Sequence, residues 1–266
     1  MRPRSALSAA THERRTRLRR AARAASGVVA LLAALAGAYA DDASWRDVES
    51  RIQYGYYTED ALVLRNLAGL VAAGESHDPL RGYYAGLLDW RLASLAAQNA
   101  AAAPGTSAAQ LAQRCVSEVD TALAVQADFA EALALRSACI EAGGARAPLA
   151  GHRARKDLER ALQLAARNPR VLLVDAMSDY ELTPSQGGNK ERALAKLRRT
   201  VAAFEAERSG VEQLPGWGAA EAWLLLARDL LDHADPIGAR DALEHALLIA
   251  PEYAQARRLM AKIVSG

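Results

Sequence analysis

Aromatic residues are scarce in this 266-residue chain, where two Phe, eight Tyr and four Trp make up 5% of the whole. A chain so composed fills its core with small and aliphatic side chains; its abundant alanine suits close-packed helices and argues against an aromatic-rich ligand core. Strand signals are missing as well. No stretch alternates apolar and polar residues over strand length, which leaves an all-α chain. The two cysteines have no histidine at zinc-ligand spacing, so no metal site is expected. Catalytic motifs are also lacking: neither H-E-x-x-H nor G-x-S-x-G occurs. His77, His152, His233 and His245 scatter over predicted loops and helix surfaces. Carboxylate pairs such as Asp157/Glu159 and Glu205/Glu207 fall on helix faces expected to be solvated. Gly187-Gly188 ahead of Lys190 lacks both P-loop spacing and a preceding strand, and reads as a turn that starts a helix capped by Asn189. Neither an enzyme nor a cofactor is expected.

No large charge excess is present either, since the formal net charge is +2. That balance is unevenly spread. Residues 1–40 hold eight Arg against one Glu, and the remainder holds 25 basic against 30 acidic groups, a balance of −5. The basic character belongs to the N-terminal segment, so a nucleic-acid partner is not expected. Long apolar runs are absent too. The one apolar stretch near the N-terminus, Gly27 to Ala40, has 14 residues, short of the roughly 20 that span a bilayer core. It follows the arginines and ends in Ala38-Tyr39-Ala40, the pattern of a signal peptide cleaved between Ala40 and Asp41. A periplasmic or secreted protein follows from this reading. The alternative is an uncleaved inner-membrane anchor over residues 24–40, which leaves the same domain on the same side and limits membrane contact to the leader. An organellar transit peptide is a third reading, against which the compact apolar run argues.

What the chain does have is helical periodicity. Trp223, Leu226, Ala227 and Leu230 recur at i, i+3, i+4 and i+7, one face of a helix. After His233-Ala234-Asp235-Pro236 a second set follows at Ala239, Leu243 and Ala246, and Pro251 closes the unit. This pattern of large, small and proline positions resembles a tetratricopeptide repeat, whose period is about 34 residues. The small, large, small signature of its second helix recurs as Cys115/Val119/Ala122, Ala154/Leu158/Ala161 and Ala193/Leu197/Thr200. Markers at Ala122, Ala161, Thr200 and Ala246 are spaced by 39, 39 and 46 residues, so the extra length sits in loops around Gly143–Pro148, Thr183–Asn189 and Ser209–Gly218. The resemblance implies an α-solenoid of antiparallel helix hairpins, about four repeats over residues 77–266. Ahead of it, residues 41–76 form an N-terminal helical segment with helices from Trp45 to Gln53 and from Thr58 to Ala73. A capping helix from Tyr253 to Val264 ends the chain. First helices begin at Asp78-Pro79 and Asn168-Pro169, with another from Phe129 to Glu141. Arg136 and Asp175 fall where the family usually buries an aliphatic side chain.

A longer resemblance rests on Asn168-Pro169-Arg170, Thr183-Pro184, Gly187-Gly188, Lys190 and Pro215-Gly216-Trp217-Gly218. This set is similar to a segment of uncharacterised exported bacterial tetratricopeptide proteins. It names no activity and implies that the Thr183–Asn189 loop is a fixed structural feature.

The two cysteines allow a separate expectation. Cys115 and Cys139 lie equally far from Ala127, in the predicted Gln126-Ala127-Asp128 turn between two antiparallel helices, and so sit at one height. In an oxidising compartment they form a bridge if their Cα atoms come within about 7 Å; otherwise Cys115 is simply the small residue the second helix requires.

In folds of this kind function comes from the concave groove, lined by the first helices, where a peptide or a partner's helix lies. The register places Tyr83, Leu87 and Trp90, then Glu131, Ala134 and Glu141, then Leu173, Met177 and Tyr180, then Glu221, Leu224 and Arg228 on that side. The competing reading makes Tyr83, Trp90 and Tyr180 core residues covered by the N-terminal helices. Two functions follow. One is a non-catalytic exported scaffold or adaptor that holds an unidentified protein partner in the bacterial envelope. The other is a periplasmic small-molecule-binding accessory subunit of a transport system. An adaptor requires an open groove with an exposed apolar patch, whereas a small-molecule binder encloses a cavity of a few hundred Å³.

Overall fold

A computed structural model describes residues 44–72, 77–144, 148–207 and 214–265. The chain divides into a unit ending at Asp47 and a second from Val48 to Gly266, and the hairpins and cavity described below belong to the second. The leader, its cleavage point between Ala40 and Asp41 and the alternative anchor over residues 24–40 lie outside the described residues. Among the described residues there is no strand, and no helix is long and apolar enough to cross a membrane.

Among the described residues eleven α-helices follow one another: α1 (44–57), α2 (Ala61–Ala72), α3 (Pro79–Gln98), α4 (Ala108–Val125), α5 (Ala130–Ala142), α6 (Pro148–Leu164), α7 (Pro169–Glu181), α8 (Lys190–Glu207), α9 (Ala219–Asp232), α10 (Pro236–Ile249) and α11 (Ala254–Ser265). Four hairpins, α3/α4, α5/α6, α7/α8 and α9/α10, stack in sequence, and α11 packs on α10. Helix starts follow the capping residues. Asp78 accepts from the Leu80 N–H ahead of α3, Asn168 from those of Arg170 and Val171 ahead of α7, and Asp235 from that of Gly238 ahead of α10. Each has proline in the first turn, where no backbone N–H is needed. Ser107 and Gln110 close a reciprocal capping box on α4. Asn189 accepts from the Arg192 N–H at 2.8 Å to open α8, as the sequence predicts.

The seams between helices confirm the repeat pattern residue by residue. Every one of the twelve small, large, small positions on α4, α6, α8 and α10 is buried. On α3 the close approach is made by glycine. A Cβ on Gly82 would lie 2.7 Å from the Glu118 carbonyl oxygen, and one on Gly86 2.4 Å from a Val119 methyl, so α3 and α4 touch at backbone distance. Cys115 on α4 and Cys139 on α5 form the disulfide, with 6.0 Å between their Cα atoms. It therefore fastens one hairpin to the next. Closing that loop contributes about 3 kcal/mol in the chain-entropy account.

Three expectations need correction. The first helix continues to residue 57, beyond Gln53, and the second starts at Ala61 instead of Thr58. Glu59 takes a left-handed φ of 59° between them, and Asp60 caps α2 by accepting from the Leu62 and Val63 N–H groups. Arg136 and Asp175 do hold inward positions, but as ions. Arg136 bridges Asp120 and Asp157 at 2.7 Å each, and Asp175 accepts from Lys196 at 2.7 Å. Asp157, expected on a solvated face, is accordingly buried beneath Arg136. Glu207 is exposed as expected, and chelates the guanidinium of buried Arg170.

The Thr183–Asn189 loop is ordered by its own polar groups. A 3-10 turn at Pro184–Gln186 carries a Thr183/Gln186 capping box. Asn189 donates its N–H to the Asp179 carbonyl, and Arg192 donates to that of Gly187 at 2.8 Å.

Candidate ligand-binding site

The first helices of all four hairpins contribute to one cavity, and α1 meets α9 and Tyr253, just ahead of α11. Tyr57 on α1 donates its hydroxyl to Glu221 on α9 at 2.7 Å, across 164 residues. Glu49 on the same helix accepts from the Tyr84 hydroxyl at 2.7 Å and from the Gly216 N–H at 2.9 Å. Tyr57 also packs against Tyr253, with ring centroids 4.6 Å apart. The segments singled out by the sequence meet here too. Arg170, from Asn168-Pro169-Arg170, donates Nε to the Pro215 carbonyl at 2.5 Å, and so fixes the segment that carries Trp217.

Between these elements lies a cavity of about 280 Å³, lined from α1, α3, α5, α7, α9, the Trp217 segment and the start of α11. Its floor is an aromatic box around a cation. The Arg91 guanidinium lies 4.1 Å from the ring centre of Tyr56, 4.8 Å from that of Trp90 and 4.9 Å from that of Trp217, distances at which ring quadrupoles attract a cation. Glu221 completes the box by an ion pair with Arg91, both side chains buried. Burial works against the Arg91 charge, but the Glu221 carboxylate beside it and the neighbouring tyrosines prevail, and the proton is held more tightly than in water. The scarcity of aromatics in the composition therefore misled: four of them, Tyr56, Trp90, Trp217 and Tyr253, converge on one cavity.

The upper wall is polar. Glu141 on α5 accepts from the Ser178 hydroxyl at 2.9 Å. Burial pushes its carboxyl up to about 7, an effect the Ser178 hydroxyl only partly offsets. Glu181, at the rim and still open to solvent, is also pushed up by the surrounding protein, against the pull of Arg228 and Lys190. Arg228 donates to Gln255 Oε1 at 2.7 Å. The side chain of Gln255 is 7% exposed, and its Nε2 has no hydrogen-bond partner among the described residues. Leu173, Val174, Met177, Leu224 and Leu225 supply the apolar wall between.

Of the groove residues expected from sequence, Trp90, Met177, Leu224 and Arg228 line the cavity, as do Glu141, Leu173 and Glu221. Tyr83 and Leu87 do not: both are fully buried, and Tyr83 supports the floor by accepting from Trp217 Nε1 at 2.7 Å. Glu131 instead accepts from Asn168 Nδ2 at 2.5 Å. Tyr180 donates to Asp232 at 3.1 Å and lies beneath the Lys190 ammonium, 3.2 Å from its ring centre. Sequence reasoning missed Arg91, Tyr56, Trp217, Tyr253 and Gln255. Arg91 follows Trp90 in a helix with 13 of 20 residues buried. A single apolar stripe cannot show that such a helix is covered on all sides. Among the described residues no three His, Cys, Asp or Glu converge as metal ligands.

Comparison with known proteins bears on this architecture. No protein-family model and no curated sequence matches the chain. Among solved structures it is similar to TTC0263, a thermophilic TPR protein of Thermus thermophilus, with a TM-score of 0.50 and 14% identity over 83% of this chain and 97% of that one. The fold is that of a tetratricopeptide solenoid. It is similar also to the HusA haemophore from Porphyromonas gingivalis, with a TM-score of 0.53 and 22% identity over 70% of this chain and 92% of the other. At these identities both comparisons concern the fold alone.

Proposed function

We propose that this tetratricopeptide-type protein is a non-catalytic, exported binding protein that holds a small molecule in the cavity between its first helices. The observation that carries the reading is the cavity itself. Where an adaptor would offer an open groove, α1 and α11 join the first helices around a space of about 280 Å³, near the lower end of small-molecule sites at roughly 300–1,000 Å³. Its lining matches such sites as well, with an apolar and aromatic body and a few convergent polar groups. Export rests on the arginine-rich leader with its A-x-A end. A place as accessory subunit of a transport system is consistent with a carrier of this kind, and the unidentified protein partner then becomes the component that receives the ligand.

Native mass spectrometry of the full chain purified from its own cells tests the proposal. A bound species of a few hundred daltons, lost when Ala142 at the rim is replaced by Trp, is the expected result. Protein recovered without ligand but crosslinked at near stoichiometry to one protein through the first-helix face would restore the adaptor reading.

A further inference from the structure

The polar groups of the cavity sort into a pattern more specific than a mixed lining. Arg91 and Glu221 neutralise one another in the floor, and three further charged side chains line the cavity: Glu141, Glu181 and Arg228. Two of the polar groups are donors. Arg228 reaches no carboxylate at hydrogen-bond distance among the described residues, and its bond to Gln255 Oε1 turns that amide so that Nε2 is left over. A buried amide N–H left without an acceptor forfeits its hydration with nothing in return, unless a ligand supplies one. Two are acceptors. Glu141 uses one oxygen for Ser178, and Glu181 stands near enough to raise its pKa. Neither acid reaches a cation at hydrogen-bond distance among the described residues, and burial leaves the Glu141 carboxyl with the Ser178 hydroxyl alone.

Resting on the small-molecule reading, we propose that the ligand is a free amino acid with an apolar side chain, or a compound bearing the same adjacent ammonium and carboxylate. Arg228 and the Gln255 amide take the carboxylate, and Glu141 with Glu181 takes the ammonium. The side chain lies among Trp90, Trp217, Leu224 and Leu225. A simple anion would leave the two carboxylates facing it, and a simple amine would leave the Gln255 N–H without an acceptor. Only a ligand with both charges answers both needs.

Isothermal titration calorimetry on the full chain separates these cases with phenylalanine, leucine, phenylalaninamide, N-acetylphenylalanine, phenethylamine and haem as probes. The free amino acids are expected to bind, with the amide and the N-acetyl compound weaker by at least about tenfold, since each loses one charge pairing. Arg228→Gln should abolish the preference for acid over amide, and Glu141→Gln should narrow the gap between the free and acetylated forms. Because the decisive contrast lies between ligands on the unaltered protein, it survives any failure of a variant to fold. Equal binding of amide or N-acetyl compound overturns the assignment, and so does failure of every free amino acid to bind. If haem binds instead, or a different small molecule copurifies in native mass spectrometry, the cavity reading stands and the amino-acid assignment falls. If no probe binds and nothing copurifies, both fall.

Discussion

The seams between helices and the inner wall of the solenoid obey different rules. In the seams, Ala227, Ala239, Leu243 and Ala246 are buried against one another and carry no polar atoms beyond the backbone. On the inner wall, Arg91, Glu221 and Gln255 are buried too, yet each brings charge or amide groups that water would otherwise solvate. Close packing is tolerant of chemistry and intolerant of volume. The polar wall is the reverse, because an unpaired charge in a low-dielectric interior costs more than a missing methyl group. Stability is thus held in the seams, and specificity is placed where stability is at risk.

The sharpest way to break this contrast is to unpair the floor. Glu221→Ala leaves Arg91 buried without its counterion and the Tyr57 hydroxyl without its acceptor, and should cost about 3–5 kcal/mol in urea unfolding. The double change Arg91→Met with Glu221→Leu should recover most of that loss; equal destabilisation by both would show that the ion pair itself, not the unpaired charge, carries the stability. A smaller effect is expected in the seams. Ala227→Leu or Ala239→Leu, at positions with no exposed surface, should overpack the α9/α10 contact and cost about 1–3 kcal/mol. Unchanged thermal melting would refute the close approach there.

The smallest effect belongs to Glu141 and has a definite sign. Its folded-state value of about 7 exceeds the ordinary 4.5, so the folded chain binds that proton more tightly than the unfolded chain. Stability from this group is therefore fullest below about 4.5 and is lost as pH rises towards 7. Glu141→Gln should raise stability at pH 8 by about 1 kcal/mol, after discounting for its partly open edge, and change little at pH 4. A gain of equal size at both values would mean that packing, not ionisation, is responsible.

Legibility in the sequence followed distance along the chain. Caps at Asp78, Asn168 and Asn189 act within three residues, and each starts its helix as expected. The twelve seam positions repeat within about forty residues, and all are buried. The bridge between Cys115 and Cys139, 24 residues apart, was readable from their equal offsets from one turn. The candidate site was half legible: Trp90, Glu141, Met177, Leu224 and Arg228 follow from the helix register, whereas Tyr56, Arg91, Trp217 and Gln255 do not. Their contacts reach across the whole stack. Arg91 meets Glu221 over 130 residues and Tyr57 meets it over 164, and no local pattern marks such pairs.

The sequence by itself determined the helices, their caps, the hairpin pairing and the small residues that let helices approach, because each rests on neighbours within one or two turns or one repeat. Tertiary structure alone decided that the solenoid carries α1 to α9 and α11 and gathers a few rings around a buried arginine. That decision is the sum of small rotations between successive hairpins. A sum of this kind is fixed by all the interfaces together and is written at no single position.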